Sequence, residues 1–259
     1  MAANLPALQG LTAMLRFFRE GKMTQSIIET VVEYNDFGFL VYARDYPGAF
    51  TRGRTLEEAF SKMSCEITRY CQWAGREIPR GPMLAHTAQS VKTGLCVQDA
   101  DSEALFEAEK GSVSIQEYSC LKAIAEKSAA CFEVLYHSVP DKDASASAPR
   151  KTFYGSVPVT AREMYLHTNG VTDYYVSQIG VVETCTGDML SARKQAFAAV
   201  EATPDYLKNA VFTGKYDEQW TLKKVMRRFI WHDRIHAKAM YRMAEAIWGD
   251  SAVVNPFYF

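Results

Sequence analysis

The sequence has no CxxC pair, no excess of charge of one sign and no long apolar run. Each absence narrows what it can do. Six cysteines stand at positions 65, 71, 96, 120, 131 and 185. Their spacing matches neither a zinc knuckle nor the disulfide framework of a small secreted domain. That usage points to a reducing, cytoplasmic setting. Cys120 and Cys131 fall within an apolar helical pattern, where cysteine acts as a small hydrophobe. The formal net charge of -1 gives no sign of a nucleic-acid surface. No apolar stretch approaches the ~20 residues that span a bilayer, so no membrane segment is expected. The opening MAANLPALQGLTAMLRFFREGKM lacks a basic start, because Arg16, Arg19 and Lys22 come late, and it reads as no secretory signal. Residues 1–23 are taken as an amphipathic lead-in, with Met1 or Met23 as the start.

What is present divides into two halves of different period. With 259 residues the chain is long enough for two domains. SIIETVVEY and FLVYAR are rich in β-branched and aromatic residues, and the turn NDFG separates them. Thr55–Glu58, TLEE, is a capping box. Leu56, Ala59, Phe60, Met63, Ile67, Tyr70 and Ala74 follow it at helical spacing. A small antiparallel sheet crossed by a helix is expected over residues 24–83. Residues 84–112 read as linker, in which SVKTGLCVQD can add one strand.

From residue 113 the period is helical. SIQE at Ser114–Glu117 opens a first helix with Tyr118, Leu121, Ala125, Ser128, Phe132 and Leu135 inward. A polar loop, SVPDKDASASAPRKTFYGSVP, follows. TARE at Thr160–Glu163 opens a second helix, a third begins near Asp188, and a fourth begins at Thr221 with Trp220 and Val225 at staple positions. Four helices over 113–250, with 251–259 as a tail, suggest a bundle. The expected fold class is therefore an α+β amino-terminal domain followed by an all-α four-helix bundle.

The last helix, TLKKVMRRFIWHDRIHAKAMYRMAEAIW, carries His232 and His236. At about 100° per residue, His236 lies about 40° from His232, Val225 about 20°, Phe229 about 60° and Met243 about 20°. Both imidazoles thus share the apolar seam of Leu222, Val225, Phe229, Met240 and Met243. Lys223, Arg227, Arg234 and Lys238 take the other face and read as a solvated stripe. Two inward histidines on adjacent turns either chelate an ion or are satisfied core residues; H-x-x-x-H alone is a weak motif. A zincin needs Glu directly after the first His, and here that position is Asp233, so that chemistry is excluded. The second helix adds weight. Its inward stripe is Met164, Val171, Tyr174 or Tyr175, Gln178 and Val182, and His167 falls on it. Three imidazoles with a fourth position open make a catalytic-type metal site. His137, at a helix end where a cation suits the dipole, and His86, in the linker, fall outside this set. Tyr174, Tyr175 and Gln178 are candidate pocket residues, with core packing as the alternative. Cys185, in VETCTGD just before a helix start, stands where a thiolate is favoured; a plain structural cysteine is the alternative.

Two resemblances follow from these motifs. GFLVYARDYPGAFTRGRTLEEAF with the downstream GREIPRGP resembles the HicB-like antitoxin domain over residues 24–83. This implies a compact fold related to ribonuclease H and a small protein partner, although no ribbon-helix-helix or helix-turn-helix follows. WTLKKVMRRFIWHDRIHAKAM, with His167 in REMYLHTNG, resembles DinB-like four-helix proteins over residues 113–248. This implies a divalent metal (Zn, Ni or Fe) on His167, His232 and His236, often a homodimer, and a small-molecule substrate. In some members it implies hydrolase, isomerase or transferase chemistry dependent on a low-molecular-weight thiol. The alternative to a metal-dependent enzyme is an interaction protein, in which the first half binds a partner and the bundle is a dimerising scaffold. No catalytic general base is identifiable.

Overall fold

The computed structural model describes residues 25–152 and 155–259, so the lead-in over 1–23 lies outside the described residues. β1 (Ser26–Asn35) and β2 (Gly38–Ala43) form the expected hairpin, and β3 (Phe50–Gly53) extends it antiparallel. Gly53 is required where β3 ends: a Cβ there would sit 2.6 Å from the Ala59 amide and 2.7 Å from the Thr55 carbonyl. Thr55 caps α1 (Leu56–Ser61) by accepting from the Glu58 amide. The Glu58 carboxylate reaches one residue further back than in a capping box and accepts from the Arg54 amide. The helical run breaks at Lys62 into α1 and α2 (Met63–Ala74), and α2 stops at left-handed Gly75.

The stretch expected to be linker contributes a strand. β4 (Met83–Lys92) pairs parallel with β1, giving a four-stranded sheet of order β3-β2-β1-β4. Its sequence, MLAHTAQSVK, has little strand chemistry because it is a half-exposed edge. One sheet face packs Ile28, Val32, Val41 and Ala43 with Met63, Ile67 and Tyr70 of α2. The opposite face, Val31, Leu40, Tyr42 and Phe50, is covered by Val97, Ala100, Ala104 and Phe106 and by Trp231.

The remaining helices are α3 (Ile115–Ser138), α4 (Ala161–Ser177), α5 (Met189–Ala202) and α6 (Leu222–Trp248). Each begins where a cap residue was expected: Ser114, Thr160, Asp188 and Thr221 each accept an amide hydrogen bond three residues on. The chain is thus mixed α+β, a small four-stranded sheet with helices followed by a helical region. One continuous apolar core runs through both, from Ile28 and Tyr70 to Phe132, Phe197 and Phe229. The final residues are part of it: Phe257, expected in a tail, is fully buried, and its ring lies 5.5 Å from that of Trp73.

The expected solvated stripe on α6 is buried instead. Arg227 and Arg234 are inside, with Lys224 and Arg228 beside them, while Lys223 and Lys238 are half-buried. Each buried cation has fixed acceptors on the first half of the chain. Arg234 bonds Glu66 at 2.7 Å and the Gly48 carbonyl at 3.2 Å. Arg227 forms a two-pronged pair with Glu109 and bonds the Ala104 carbonyl. Arg228 bonds the Ser102 carbonyl, and Lys224 bonds the Glu103 carbonyl and pairs with Glu218. The same 102–104 segment is gripped from the other side. The Glu33 carboxylate accepts from the amides of Glu103 and Ala104 and from the Ser102 hydroxyl.

Two outcomes are expected in chemical denaturation. Arg234→Met leaves the buried Glu66 carboxylate only its longer contact with Lys238 at 3.4 Å and should cost about 3 kcal/mol, whereas the double variant Glu66→Gln, Arg234→Met should recover much of that loss. Lys224 is fully buried, and desolvation lowers its ammonium to about 8 against the attraction of Glu218. Between pH 8 and about 10.5 the unfolded chain then binds more protons than the folded one. Wild-type stability should rise across that window by on the order of 2–3 kcal/mol, and Lys224→Met should flatten the rise.

Candidate functional site

His167, His232 and His236 meet. The Thr160 cap and its reciprocal Glu163 bond fix the start of α4, and two turns on, His167 faces α6. His167 Nε2 lies 3.1 Å from His232 Nε2, and His236 Nε2 lies 3.2 Å from the same atom. One ligand atom from each residue falls within 4.8 Å of the others. Tetrahedral zinc with Zn–N bonds near 2.0–2.1 Å sets neighbouring nitrogens about 3.3 Å apart, and two of the separations match that figure.

The chemistry of the donor set fits a cation. Burial is the first cause holding all three imidazoles below their ordinary value. His232 lies well below it, and His236 is lowered to about 3 with His167 adding repulsion. Neutral imidazole is the form that ligates. An N–H on His232 Nε2 could serve only one of its two neighbours, whereas one cation satisfies three converging lone pairs. Buried His232 Nδ1 finds no hydrogen-bond partner among the described residues.

α6 holds these rings from several sides. The Tyr175 ring meets His232 edge-on at 5.8 Å. Asp233 turns away from the imidazoles, as its phase requires, and takes both arms of Arg193 on α5 at 3.1 and 3.3 Å. The Arg193 guanidinium also stacks over Phe229 at 3.8 Å. Burial pushes the Asp233 carboxyl up, and Arg193 opposes that shift.

A cavity of about 380 Å³ lies over the histidines, within the size range of small-molecule sites. Both halves of the chain line it. Phe50 and Arg52 come from β3, Asp99 and Asp101 from the connecting segment, Tyr174 and Tyr175 from α4, and Arg228, Trp231, Ile235 and Arg242 from α6.

Of the other candidates, Tyr174 and Tyr175 line the cavity, with Tyr174 pushed up to about 12 by burial, so it stays a proton donor. Gln178 does not line it; its side chain accepts from the Lys215 amide and braces the 212–220 segment. Val182, expected inward, is 93% exposed, because α4 ends at Ser177 and helical phase has no meaning beyond it. Burial and then Asp173 raise the Cys185 thiol to about 12, so it is no thiolate. Cys120 is exposed rather than packed, and every cysteine among the described residues is a free thiol. His137 is exposed at the end of α3, and His86 pairs with Glu29 on the sheet edge. Sequence reasoning missed Arg52 and Arg228, since nothing local marks a residue on β3 as a neighbour of α6.

No helix among the described residues is long and apolar enough to cross a membrane. No family model, no curated protein and no solved structure matches the chain significantly.

Asp233→Asn keeps the shape but leaves the Arg193 charge uncompensated in the core. A loss of about 3 kcal/mol or more in denaturant unfolding is expected, with the Arg193→Met, Asp233→Asn double variant losing less than the sum of the single changes.

Proposed function

We propose that the chain is a divalent-metal protein acting on a small molecule, with the ion on His167, His232 and His236. The observation that carries this reading is the convergence of three neutral Nε2 atoms from two helices beneath a cavity. The resemblance of 113–248 to DinB-like proteins supports the same ligand set and the same four-helix fold. Imidazole ligands suit Zn, Ni or Fe. Such an ion lowers the pKa of a bound water toward ~7 or holds a thiolate, which makes hydrolysis or thiol-dependent transfer the reaction classes to expect.

The chain's own groups define what surrounds that chemistry. Tyr175, Trp231 and Phe50 give the cavity aromatic walls, and Tyr174 offers a protonated hydroxyl. With the Cys185 thiol raised, any thiolate nucleophile must come from a separate small thiol. For the HicB-like half we propose a structural role first. Both faces of its sheet are covered, one by α1 and α2 and the other by 97–106 with Trp231. The half-exposed β4 edge is the surface we assign to a protein partner.

Mass spectrometry of untagged protein should find about one Zn, Ni or Fe per chain. His232→Ala should lose it and His137→Ala should keep it. Absence of stoichiometric metal, even after reconstitution with each of the three ions, would refute this reading. Where the metal is present, zinc should raise the unfolding temperature of wild type, because an ion bound only by the folded state stabilises it, and should leave His232→Ala unmoved.

A further inference from the structure

The cavity wall carries two arginines, Arg52 and Arg242, that form no ion pair among the described residues, beside the carboxylates Asp99 and Asp101. Phe50 and Arg52, two apart on β3, share one strand face and turn toward α6. Arg52 is half-buried and gives one arm to the Gln98 carbonyl at 2.7 Å. No carboxylate among the described residues forms an ion pair with it, nor with Arg242. Burial lowers the Arg52 guanidinium first, repulsion from Arg242 lowers it further, and attraction from Asp99 offsets part of this. Arg150, also on this wall, is already matched by Asp99 at 2.6 Å. An exposed arginine such as Arg242 is ordinary on its own. Half-buried Arg52 without an ion pair is less so, because burial penalises an unpaired charge.

An apolar stripe runs along the α6 side of the cavity. Trp231, Ile235 and Ala239 recur at helical spacing on α6, with Arg242 closing the run. Phe50 faces Trp231 edge-on at 6.1 Å. A ligand that fills this space has an anionic head at the arginines, a short apolar body, and its reacting end at the imidazoles.

We infer that the substrate is a small organic acid, held by its anionic group on Arg52 and Arg242, and that the amino-terminal sheet is the wall that selects it. This rests on the metal-site reading for the reacting end and adds the substrate class. Guanidinium pairs suit carboxylate and phosphate oxygens alike, and the apolar stripe separates such a ligand from an inorganic anion.

Isothermal titration on the full chain, zinc-loaded and chelator-stripped, tests this with phenylacetate, phenylphosphonate and neutral phenylacetamide. At least one acid should bind the stripped protein about tenfold or more tightly than the amide, since hydrogen bonds to charged groups are worth that much. Carboxylate or phosphonate preference then tells which head the site takes. Arg242→Gln, at an exposed position with no ion pair among the described residues, should weaken the acid and leave the amide unchanged. Arg52→Gln with Arg242→Gln should abolish the preference, and Arg52→Lys should keep part of it. Equal binding of acids and amide overturns the inference. So does an acid preference that survives the double variant or that exists only in zinc-loaded protein regardless of the arginines, which is ligation by zinc. Zinc content measured on the same samples separates the two ideas: zinc present without acid preference refutes the acid site alone. Acid preference in protein that takes up no zinc, nickel or iron on loading refutes the metal centre and leaves the acid site standing.

Discussion

Every part of this molecule depends on the first half of α6, residues 224–234, being buried on all sides while carrying four cations. A lysine and three arginines inside a protein are tolerable only if each meets a fixed acceptor, because an unpaired buried charge costs several kcal/mol. Here each of the four has at least one acceptor far away in sequence. Glu66 and Gly48 take Arg234, Glu109 and Ala104 take Arg227, and the Ser102 and Glu103 carbonyls take Arg228 and Lys224. A shift of α6 by one residue would strand all four at once. The pairings therefore specify the register of the helix against the sheet more sharply than apolar packing could, since packing tolerates small slips and stranded charges do not. The segment 102–104 makes the coupling two-sided: its amides answer Glu33 on the sheet and its carbonyls answer α6.

The sequence shows the helix starts and the inward histidines but not this clamp, and the reason is physical. A cap is local: Ser114, Thr160, Asp188 and Thr221 each bond an amide three residues on, so neighbouring residues suffice to find them. The shared phase of His232 and His236 is local too, and His167 required only a second helix of known start. The stripe of Lys and Arg on α6 reads as solvated because most such stripes are, and its partners Glu66 and Glu109 sit more than a hundred residues earlier. β4 was hard to see for a related reason, since an edge strand needs no apolar alternation to pair through its backbone. Val182 shows the opposite error, a period carried past the residue where the helix stops.

Pro47-Gly48 illustrates how a local motif acquires a distant role. Gly48 has φ of +90°, and a Cβ there would lie 2.5 Å from the Ile230 side chain. The turn is thus tight both for its own geometry and because α6 lies against it. The Gly48 carbonyl then becomes an acceptor for Arg234. A turn between strands serves at once as a hairpin connection and as a docking point for the last helix.

Residues 231–234 draw these constraints to one place. Successive residues on a helix point about 100° apart, so four in a row look in four directions. Trp231 packs on Tyr42 and Phe50 of the sheet. His232 meets His167 of α4, Asp233 holds Arg193 of α5, and Arg234 holds Glu66 of α2. Any rotation of α6 that improved one of these contacts would break the others. The orientation of His232 is therefore set by three neighbours that have nothing to do with ligation, before any ion is considered. Sites on rigid elements hold ligand geometry better than sites on loops, and here the rigidity comes from the buried charges. The amino-terminal sheet is thereby part of the histidine site: it supplies the wall beside Trp231 and, through α2, the carboxylate that fixes the next turn of the same helix.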